Sequence, residues 1–388
     1  MDVDTVVAEV AAAVGLAEGE SGIRDILGVI LTAEPVPVRD VARLAELPVP
    51  IVAAACNELR KRSVVDTQRP VRLTPDGRKA VAEVSAAPAL RADCPQCGGR
   101  GVVIPAQLAE LADRLHISAS GAPSAKAELD QTHCTVPTKI ARVLRLHSAR
   151  ALAGQRIVLI GDDDLTSVAI ALFAQWAGSP AAIRKLTVVD TDEDVLDWIG
   201  SQTSDTGVNV DLVRHDVREP LPDTLTGAFD VALTDPPYTV AGAELFLSRA
   251  VSALAQGPGR HVFFSFGARR PDETLAVQHA IANMGLVVRS LTANFNEYLG
   301  AGVIAGSSHL YHLRTTSVAK PVIEGGFSDA IYTAASRASM TRPYKCARCK
   351  TVRDVGPGSQ WPRIADLQQA GCPNCGGTVF RPMALAPR

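Results

Sequence analysis

Two short acidic motifs in the middle of the sequence contain residue types that bind and deprotonate amines. Residues 161–164 read Gly-Asp-Asp-Asp and follow the apolar run 156–160, while residues 235–238 read Asp-Pro-Pro-Tyr and follow the run 229–233. A carboxylate accepts a proton or pairs with a cation, and a tyrosine ring packs on a cationic nitrogen. The two motifs therefore predict chemistry on positively charged, nitrogen-containing molecules.

Apolar runs alternate with helical segments from residue 156 onwards, at the spacing of βαβ units. Their continuous apolar character predicts a parallel sheet that is covered on both faces. In such a doubly wound sheet, ligands bind outside the carboxyl ends of the strands. The sequence therefore predicts an α/β, Rossmann-like domain with its site at that edge. The expected strands are 156–160, 186–189, 208–213, 229–233 and 261–265, with 307–314 as a closing edge strand.

Acidic residues at the predicted strand ends match the needs of an adenosine sulfonium cofactor. Asp190 ends the second strand, where a carboxylate would bind the ribose hydroxyls, and Asp216 follows the third, where a polar side chain would bind the adenine amino group. A dinucleotide is the competing ligand, but three adjacent carboxylates would repel its pyrophosphate. The expected donor ligands are Gly161, Asp162, Asp163, Asp190 and Asp216.

The triple-aspartate loop also bears on the form of the donor. An ordinary methyltransferase prefers glycines there, because backbone amides approach the carboxylate of the methionine moiety. Aspartates suit a donor that has lost this carboxylate and kept its ammonium, as decarboxylated S-adenosylmethionine has, and they also suit a polycationic acceptor. Capping of a helix N-terminus would explain one of the three aspartates without a ligand.

Asp235, Asp164 and Tyr238 are the expected catalytic residues. The two prolines fix the backbone after the strand, so that the carboxylate and the ring of residues 235–238 are held in one geometry. An attacking amine must first lose a proton, and Asp235 or one of the aspartates at 162–164 would accept it. A turn without chemistry is the alternative for 235–238. Tyr238 and Glu297 are candidate acceptor ligands, and a loop role is the alternative for Glu297.

The first 88 residues are typical of a winged helix-turn-helix module. Helical patterns cover 26–31, 38–45 and 49–59, and residues 64–74 predict a β-wing. The module would bind DNA or serve docking or dimerisation. We favour docking, because the basic residues lie at the end of the third helix, whereas base-reading residues lie near the start of a recognition helix. The balance of 39 Lys+Arg against 41 Asp+Glu gives nucleic acid no general attraction either.

Four cysteines near the end of the chain have the spacing of a zinc ribbon. Cys346 and Cys349 form one Cys-x-x-Cys pair, and Cys372 and Cys375 form the second. Four thiolates give a closed tetrahedral site, which is structural rather than catalytic. Zinc is therefore expected there. Iron is the chemical alternative, because the same ligands accept it, and four free thiols are the other.

Cys94 and Cys97 form a third Cys-x-x-Cys pair, which is half of such a site. The pair would be completed by Cys134, by His133, by a second copy of the chain, or by nothing. In a cytosolic chain, cysteines are metal ligands or buried thiols more often than disulfides.

The motifs together resemble those of the branched-chain polyamine synthases, the N4-bis(aminopropyl)spermidine synthase family. The resemblance implies transfer of aminopropyl groups from decarboxylated S-adenosylmethionine to the secondary N4 amine of spermidine or a related polyamine, with release of methylthioadenosine. It also implies a winged-helix-like N-terminal domain, a homodimer, and Asp130 and Gln131 as lining of the same pocket. The matching segments are 128–131, the helix 138–146, 156–167 and 235–239.

The chain is therefore expected to have four parts: a winged helix at 1–88, a connecting segment at 89–150, a Rossmann-like S-adenosylmethionine-dependent transferase domain at 151–335, and a zinc ribbon at 336–388. The absence of a long apolar run or a signal peptide predicts a cytosolic protein without a membrane partner. Two other functions are open. One is an amino-group methyltransferase or aminocarboxypropyltransferase that uses intact S-adenosylmethionine. The other is a DNA-binding regulator whose Rossmann domain senses polyamines or nucleosides.

Overall fold

The computed structural model describes residues 2–84, 94–299, 306–332, 342–356, 359–362 and 364–383. The chain divides into two compact units, one of Met1–Ala125 with Thr132–Ser328 and one of Lys126–Gln131 with Asp329–Arg388. The domain boundaries expected from the sequence stay predictions. Within the described ranges, none of the helices combines the length and the apolar character that a bilayer span requires. The cytosolic location likewise stays a prediction.

Five helices open the first unit, and α2, α3 and α4 lie at the three segments predicted to be helical. Thr74 Oγ1 accepts a hydrogen bond from the Gly77 N–H at 2.9 Å and so caps α5. An isolated antiparallel bridge joins Val65 to Leu73, within the segment where the wing is expected. Buried aliphatic side chains from all five helices form one core. The helices are α1 Val3–Val14, α2 Gly19–Ala33, α3 Val38–Leu44, α4 Val49–Lys61 and α5 Pro75–Val84.

A seven-stranded sheet forms the centre of the first unit, in the order β3-β2-β1-β4-β5-β7-β6. Strands β1 to β5 are parallel, whereas β7 runs antiparallel to both β5 and β6. The direction of strand succession reverses between β1 and β4, which is the switch point where ligands bind. The strands are β1 Arg156–Ile160, β2 Lys185–Asp190, β3 Val210–Arg214, β4 Val231–Thr234, β5 His261–Phe266, β6 Leu286–Glu297 and β7 Ser307–Thr315.

The sheet departs from the sequence prediction at one side. It is mixed rather than wholly parallel, and β7, predicted as the closing edge strand, lies between β5 and β6. The edge strand is β6, for which the sequence predicts no strand. The reason is that polar residues interrupt β6 and that apolar side chains in its first half are exposed, so the strand lacks a continuous apolar run.

Six helices accompany the sheet, and α7 is the one that matters most for the site. The Thr135 side chain caps its start, accepting from the Thr138 N–H at 3.3 Å. Lys139 and Arg142 are three residues apart, so they share one face of α7, and both are buried. The helix therefore carries two cations into the interior. The six helices are α6 Ala109–Ser120, α7 Val136–Ser148, α8 Thr166–Trp176, α9 Glu193–Thr203, α10 Val240–Ala253 and α11 Pro271–Asn283.

The second unit is small and contains a three-stranded antiparallel sheet in the order β10-β8-β9. Its core is limited to a few side chains, among them Trp361, Leu367 and Phe380. Cores of this size usually need a metal or a disulfide in addition. The elements are β8 Arg342–Cys346, β9 Val352–Val355, α12 Ile364–Ala370 and β10 Phe380–Pro382.

Candidate active site

The guanidinium of Arg142 lies between the two acidic motifs and joins them. Its Nη1 donates to Asp164 Oδ2 at 2.7 Å, and its Nη2 donates to Asp235 Oδ2 at 2.7 Å. The Arg142 side chain is 7% exposed, so water screens neither ion pair strongly. Charged side chains that are this deeply buried are tolerated because each is paired with an opposite charge. Arg142 thus fixes the distance between the loop after β1 and the end of β4.

Asn296, near the end of β6, orients Arg142. Its Oδ1 accepts from Arg142 Nε at 2.8 Å, and its Nδ2 donates to Ser265 Oγ at 3.1 Å and to Ser308 Oγ at 2.9 Å. Asn296 is fully buried, and three strands, β5, β6 and β7, contribute to this network. The NH2 group of Asn296 is held by the two serines, so its carbonyl oxygen points in a fixed direction and holds the Arg142 guanidinium in one orientation.

Asp235 receives hydrogen bonds from two tyrosines as well as from Arg142. Tyr238 Oη donates to Oδ1 at 3.1 Å, and Tyr298 Oη donates to Oδ2 at 2.5 Å. Burial raises the pKa of Asp235 to about 6; Arg142 opposes the shift, and Asp164 adds to it. Burial and the neighbouring Asp235 carboxylate raise the pKa of both tyrosines well above its usual value, so their hydroxyls stay protonated as donors.

Asp164 is held as a charged carboxylate. Its Oδ1 accepts from the Cys134 N–H at 2.5 Å. Burial alone would raise its pKa, but Arg142 and Lys139 outweigh burial and lower the pKa below its usual value. The Lys139 ammonium also donates to the backbone carbonyl of Asp164. Asp164 and Asp235 are thus neighbouring carboxylates with opposite pKa shifts.

The Asp162 carboxylate caps the N-terminus of α8. Its carboxylate accepts from the N–H of Thr166 at 2.7 Å and from the N–H of Ser167 at 3.0 Å, and also from the Ser167 hydroxyl, at the start of α8. Both oxygens therefore cap backbone donors that a helix N-terminus leaves unpaired. Burial raises the pKa of Asp162 to about 7. Gly161, just before it, has a φ of 76°, a left-handed conformation that favours glycine.

Asp163 points towards the segment before α7. Its Oδ2 accepts from the Thr132 N–H at 2.9 Å, and its backbone carbonyl contacts His133 Nδ1 at 2.7 Å. Burial raises its pKa well above the usual value, and the charges of Asp164 and Asp235 add to this shift. Of the three adjacent aspartates, one is therefore ionised by its partners, and the other two hold protons more firmly than a free aspartate does.

Asp190 and Asp216 lie at the ends of β2 and β3 but differ in surroundings. Asp190 is buried, and its Oδ2 accepts from the Asp162 N–H at 3.0 Å, so it adjoins the acidic loop. The Asp216 carboxylate is partly exposed and bound by the Arg218 side chain, with Nη2 at 2.5 Å from Oδ2. Their roles in donor binding stay predictions.

A cleft of about 420 Å³, counted with its open side, is lined by Arg142, residues 161–164 and Asp235. One part of its wall is acidic, with the aspartates 162–164 and Asp235, and another part is apolar. An apolar surface with a few polar groups is typical of small-molecule sites. The apolar lining consists of Leu146, Leu159, Leu233, Phe263 and Leu310.

The remaining predicted acceptor ligands are Glu297, Asp130 and Gln131. Glu297 forms an ion pair with Arg100, because side chains alternate along β6 and Glu297 points away from the face that carries Asn296 and Tyr298. Asp130 and Gln131 belong to the second unit; Asp130 has a φ of 55°, and Gln131 Oε1 accepts from the Lys126 N–H at 2.8 Å. Their binding role stays a prediction.

Sequence reasoning misses three residues of the network: Arg142, Asn296 and Tyr298. Arg142 lies within a segment that carries the family resemblance, and its signal is a pair of cations three apart on an otherwise apolar helix face. Asn296 and Tyr298 flank Glu297, so the period of a strand would have pointed to them had β6 been recognised.

The four cysteines of the second unit come together. All four sulfur atoms lie within 4.8 Å of one another, with Cys346 Sγ 3.6 Å from Cys375 Sγ and Cys349 Sγ 3.5 Å from Cys372 Sγ. Four converging thiols match the ligand set of a tetrahedral metal site.

Comparisons with known proteins identify relatives of the chain. The family model for the branched-chain polyamine synthase A C-terminal domain matches residues 110–322. An uncharacterised protein of Methanocaldococcus jannaschii is 33% identical over 94% of this chain and 89% of its own. The N(4)-bis(aminopropyl)spermidine synthase of Thermococcus kodakarensis is 32% identical over 67% of this chain and 73% of its own.

The fold is shared with a solved structure, the branched-chain polyamine synthase of Thermus thermophilus in complex with N4-aminopropylspermidine and 5'-methylthioadenosine. The TM-score is 0.70 with 23% identity, over 85% of this chain and 97% of that one. The family model covers more than half of the chain and includes both acidic motifs. The chain belongs to the branched-chain polyamine synthase family of transferases.

Proposed function

We propose that the protein transfers aminopropyl groups from decarboxylated S-adenosylmethionine to the secondary N4 amine of spermidine or a related polyamine and releases methylthioadenosine. The observation that carries the proposal is the convergence of residues 161–164 and 235–238 on Arg142 in one cleft, in a member of this family. The names of the relatives describe the same reaction class.

The charges of the cleft support a donor without a carboxylate. Among the described residues that line it, Arg142 is the only cation, and its two terminal nitrogens already bond to Asp164 and Asp235. The carboxylate of intact S-adenosylmethionine would face aspartates there. The ammonium of the decarboxylated donor and a polyamine would instead gain favourable pairing.

Asp235 is the base in this proposal. Its side chain is 13% exposed, whereas that of Asp164 is 3% exposed, so Asp235 is the more accessible to an amine. Its pKa of about 6 also makes it the stronger base of the two. The N4 amine gives its proton to Asp235, and the nitrogen lone pair then attacks the aminopropyl carbon that is bonded to sulfur. The bond between that carbon and sulfur breaks as methylthioadenosine leaves.

The other residues position Asp235 and balance charge. Tyr238 and Tyr298 hold its two oxygens, and Arg142 with Asp164 sets its charge. Two cationic substrates repel each other, and carboxylates around the reacting atoms reduce that repulsion. Holding both substrates in line supplies a further part of the rate enhancement.

The proposal is tested by incubating the purified protein with spermidine and either decarboxylated or intact S-adenosylmethionine, followed by mass spectrometry. With the decarboxylated donor, we expect polyamines that carry additional aminopropyl groups, together with methylthioadenosine. A methylated amine, or an aminocarboxypropyl product from the intact donor, would favour the alternative transferase. Lack of any product with spermidine and related polyamines would contradict the proposal.

The turnover number is expected to fall on acidification through about pH 6. Asp235 must be charged to accept a proton, and protonation below its pKa removes the base. The Tyr298 hydroxyl lowers the pKa of Asp235, so Tyr298→Phe should move this acidic limb to higher pH. The measurement is kcat between pH 5 and 8 at saturating substrates; a limb that Tyr298→Phe leaves in place would argue against Asp235.

We also propose that the four-cysteine cluster binds structural zinc and forms a zinc ribbon. A metal bound by four deprotonated thiols contributes about 10–16 kcal/mol to the folding of small domains. A strong chelator should therefore make residues 342–383 sensitive to protease. Cys349→Ser should have the same effect, whereas Cys56→Ala, in the N-terminal core, should not. Protease resistance that survives removal of zinc would contradict a structural metal.

We propose that the N-terminal helices form a winged-helix module for docking within a homodimer. Two cations at the end of α4 have an acidic partner, with Arg62 Nη1 2.7 Å and Lys61 Nζ 2.5 Å from Glu58, which leaves them less available to phosphates. Asn294 Nδ2 of β6 donates to the Arg43 carbonyl at 2.8 Å, so the module contacts the catalytic sheet. We expect no binding to random-sequence duplex DNA in a fluorescence-anisotropy titration; salt-sensitive binding would revive the regulator hypothesis.

A further inference from the structure

The third thiol pair, Cys94 and Cys97, has the same backbone turn as the two pairs of the four-cysteine cluster. The N–H of Gly98 donates to the carbonyl of Cys94 at 2.8 Å, and Gly98 has a left-handed φ of 54°. In the cluster, the N–H of Lys350 donates to the carbonyl of Cys346 at 3.0 Å, and Lys350 has a φ of 63°. The N–H of Gly376 likewise donates to the carbonyl of Cys372 at 2.8 Å, and Gly376 has a φ of 69°. Cys94 and Cys97 therefore lie on a backbone shaped like that of the converging thiol pairs.

The candidates for completing this site within the same chain are engaged elsewhere. Cys134 is buried, and its Sγ contacts the Lys139 ammonium, with Nζ at 3.6 Å. The two ring nitrogens of His133 contact the carbonyls of Asp163 at 2.7 Å and Pro123 at 2.8 Å. Across the part of the chain that the structure describes, the four-cysteine cluster of the second unit is the only group of three or more potential ligands.

The pair is exposed and firmly attached to the catalytic unit. Cys94 is exposed and Cys97 is half-buried, so both can be reached from outside. Arg145 Nη2 donates to the Arg100 carbonyl at 2.9 Å, and the Arg100 guanidinium pairs with Glu297. Val103 and Ile104, a few residues further, are 48% and 36% exposed. A pair of thiols next to exposed apolar side chains is suited to contact with another protein surface.

We propose that Cys94 and Cys97 form half of a structural zinc site that the same two cysteines of a second copy of this chain complete. A structural zinc ion takes four thiolates in a tetrahedron, and a two-fold axis brings identical pairs together. The same contact would cover Val103 and Ile104. Because Arg100 joins this turn to Glu297, the residue before Tyr298, the shared ion would also hold the ends of β6 in the two subunits.

Metal stoichiometry distinguishes a shared ion from an unshared one. We expect about 1.5 zinc ions per wild-type chain, one in the four-cysteine cluster and half of one in the shared site. The double variant Cys94→Ser, Cys97→Ser should hold about one ion per chain and should sediment mainly as a monomer. The matched control Cys56→Ala should keep the wild-type values. Elemental analysis and analytical ultracentrifugation of the full chain give both readouts.

A single cooperative unfolding transition and an unchanged far-UV circular dichroism spectrum should verify that the double variant folds, with a lower midpoint because the shared ion and the second subunit no longer stabilise the folded state. As an independent measurement, a chelator added to the wild type should remove the shared ion and dissociate the dimer at the same time. Two outcomes overturn the proposal. One is a difference of zero or of one whole ion between wild type and double variant, and the other is an intrachain Cys94–Cys97 disulfide found by mass spectrometry in protein kept under reducing conditions.

Discussion

Asp235→Asn is expected to lower kcat by about 10²–10⁴-fold, the usual contribution of a general base. The amide cannot accept the amine proton. Its single oxygen, placed where Oδ2 lies, still accepts from Tyr298 and Arg142, while its NH2 group faces the Tyr238 hydroxyl. Donor affinity should change little, because the donor ligands expected at 161–163 and Asp190 are intact. Release of methylthioadenosine in single-turnover experiments measures the chemical step, and calorimetry measures donor binding.

Asp211→Asn is the matched control for this variant. Asp211 lies on β3 with 47% of its side chain exposed and pairs with Lys185, so the same change of carboxylate to amide should leave kcat unaffected. If Asp235→Asn retained activity within tenfold of the wild type, the base would have to be sought in the 162–164 loop. If it lost donor binding as well, Asp235 would belong to the donor site.

Arg142→Met is expected to lower the free energy of unfolding by about 3–5 kcal/mol near neutral pH, as the loss of one partner of a buried ion pair does. The change removes the cation from Asp164 and Asp235 at once and leaves the Asn296 carbonyl oxygen without its donor. Arg142→Lys keeps one charge but cannot reach both carboxylates with a planar fork, so activity should be lost with less loss of stability. Urea unfolding measures the stability of each variant.

The stability deficit of Arg142→Met should grow as the pH rises. Without the guanidinium, burial raises the folded-state pKa of Asp164 and Asp235 above the unfolded value of 3.8. Carboxyls with a raised pKa favour the folded state at low pH, and this contribution disappears as the pH passes the folded pKa. The deficit should therefore be smaller at pH 5 than at pH 8. Arg156→Met, which breaks the ion pair between the 38% exposed Arg156 side chain and Asp230, should cost about 1 kcal/mol or less. Equal deficits for Arg142→Met and Arg156→Met would contradict the network.

The family and the centre of the fold were accessible from the sequence because the signals are local. Strands β1, β2, β4 and β5 are continuous apolar runs, and both acidic motifs directly follow strands. The switch-point rule then places Asp164 and Asp235 at one edge of the sheet, where the structure has them joined by a single guanidinium. The family resemblance is confirmed by the match over residues 110–322.

The rest of the site depends on contacts between distant segments. Arg142 is separated from Asp235 by 93 positions and from Asn296 by 154, so no local pattern connects them. In the edge strand β6, polar residues interrupt the apolar ones, and its pairing with β7 is what makes it a strand. Which of three adjacent aspartates caps a helix, holds a proton or stays charged depends on burial and partners. Residue types alone do not contain that information.

The strand order β5-β7-β6 also has a consequence for how the protein is made. β6 leaves the ribosome before β7, yet its native neighbour in the sheet is β7, so it has no strand to pair with until β7 has been synthesised. Asn296 and Tyr298 therefore reach their partners only after Ser307–Thr315 have been synthesised and docked. The sheet up to β5 can form earlier, during translation. The activity of a nascent chain should thus appear in one late step, when the last two strands close over Arg142.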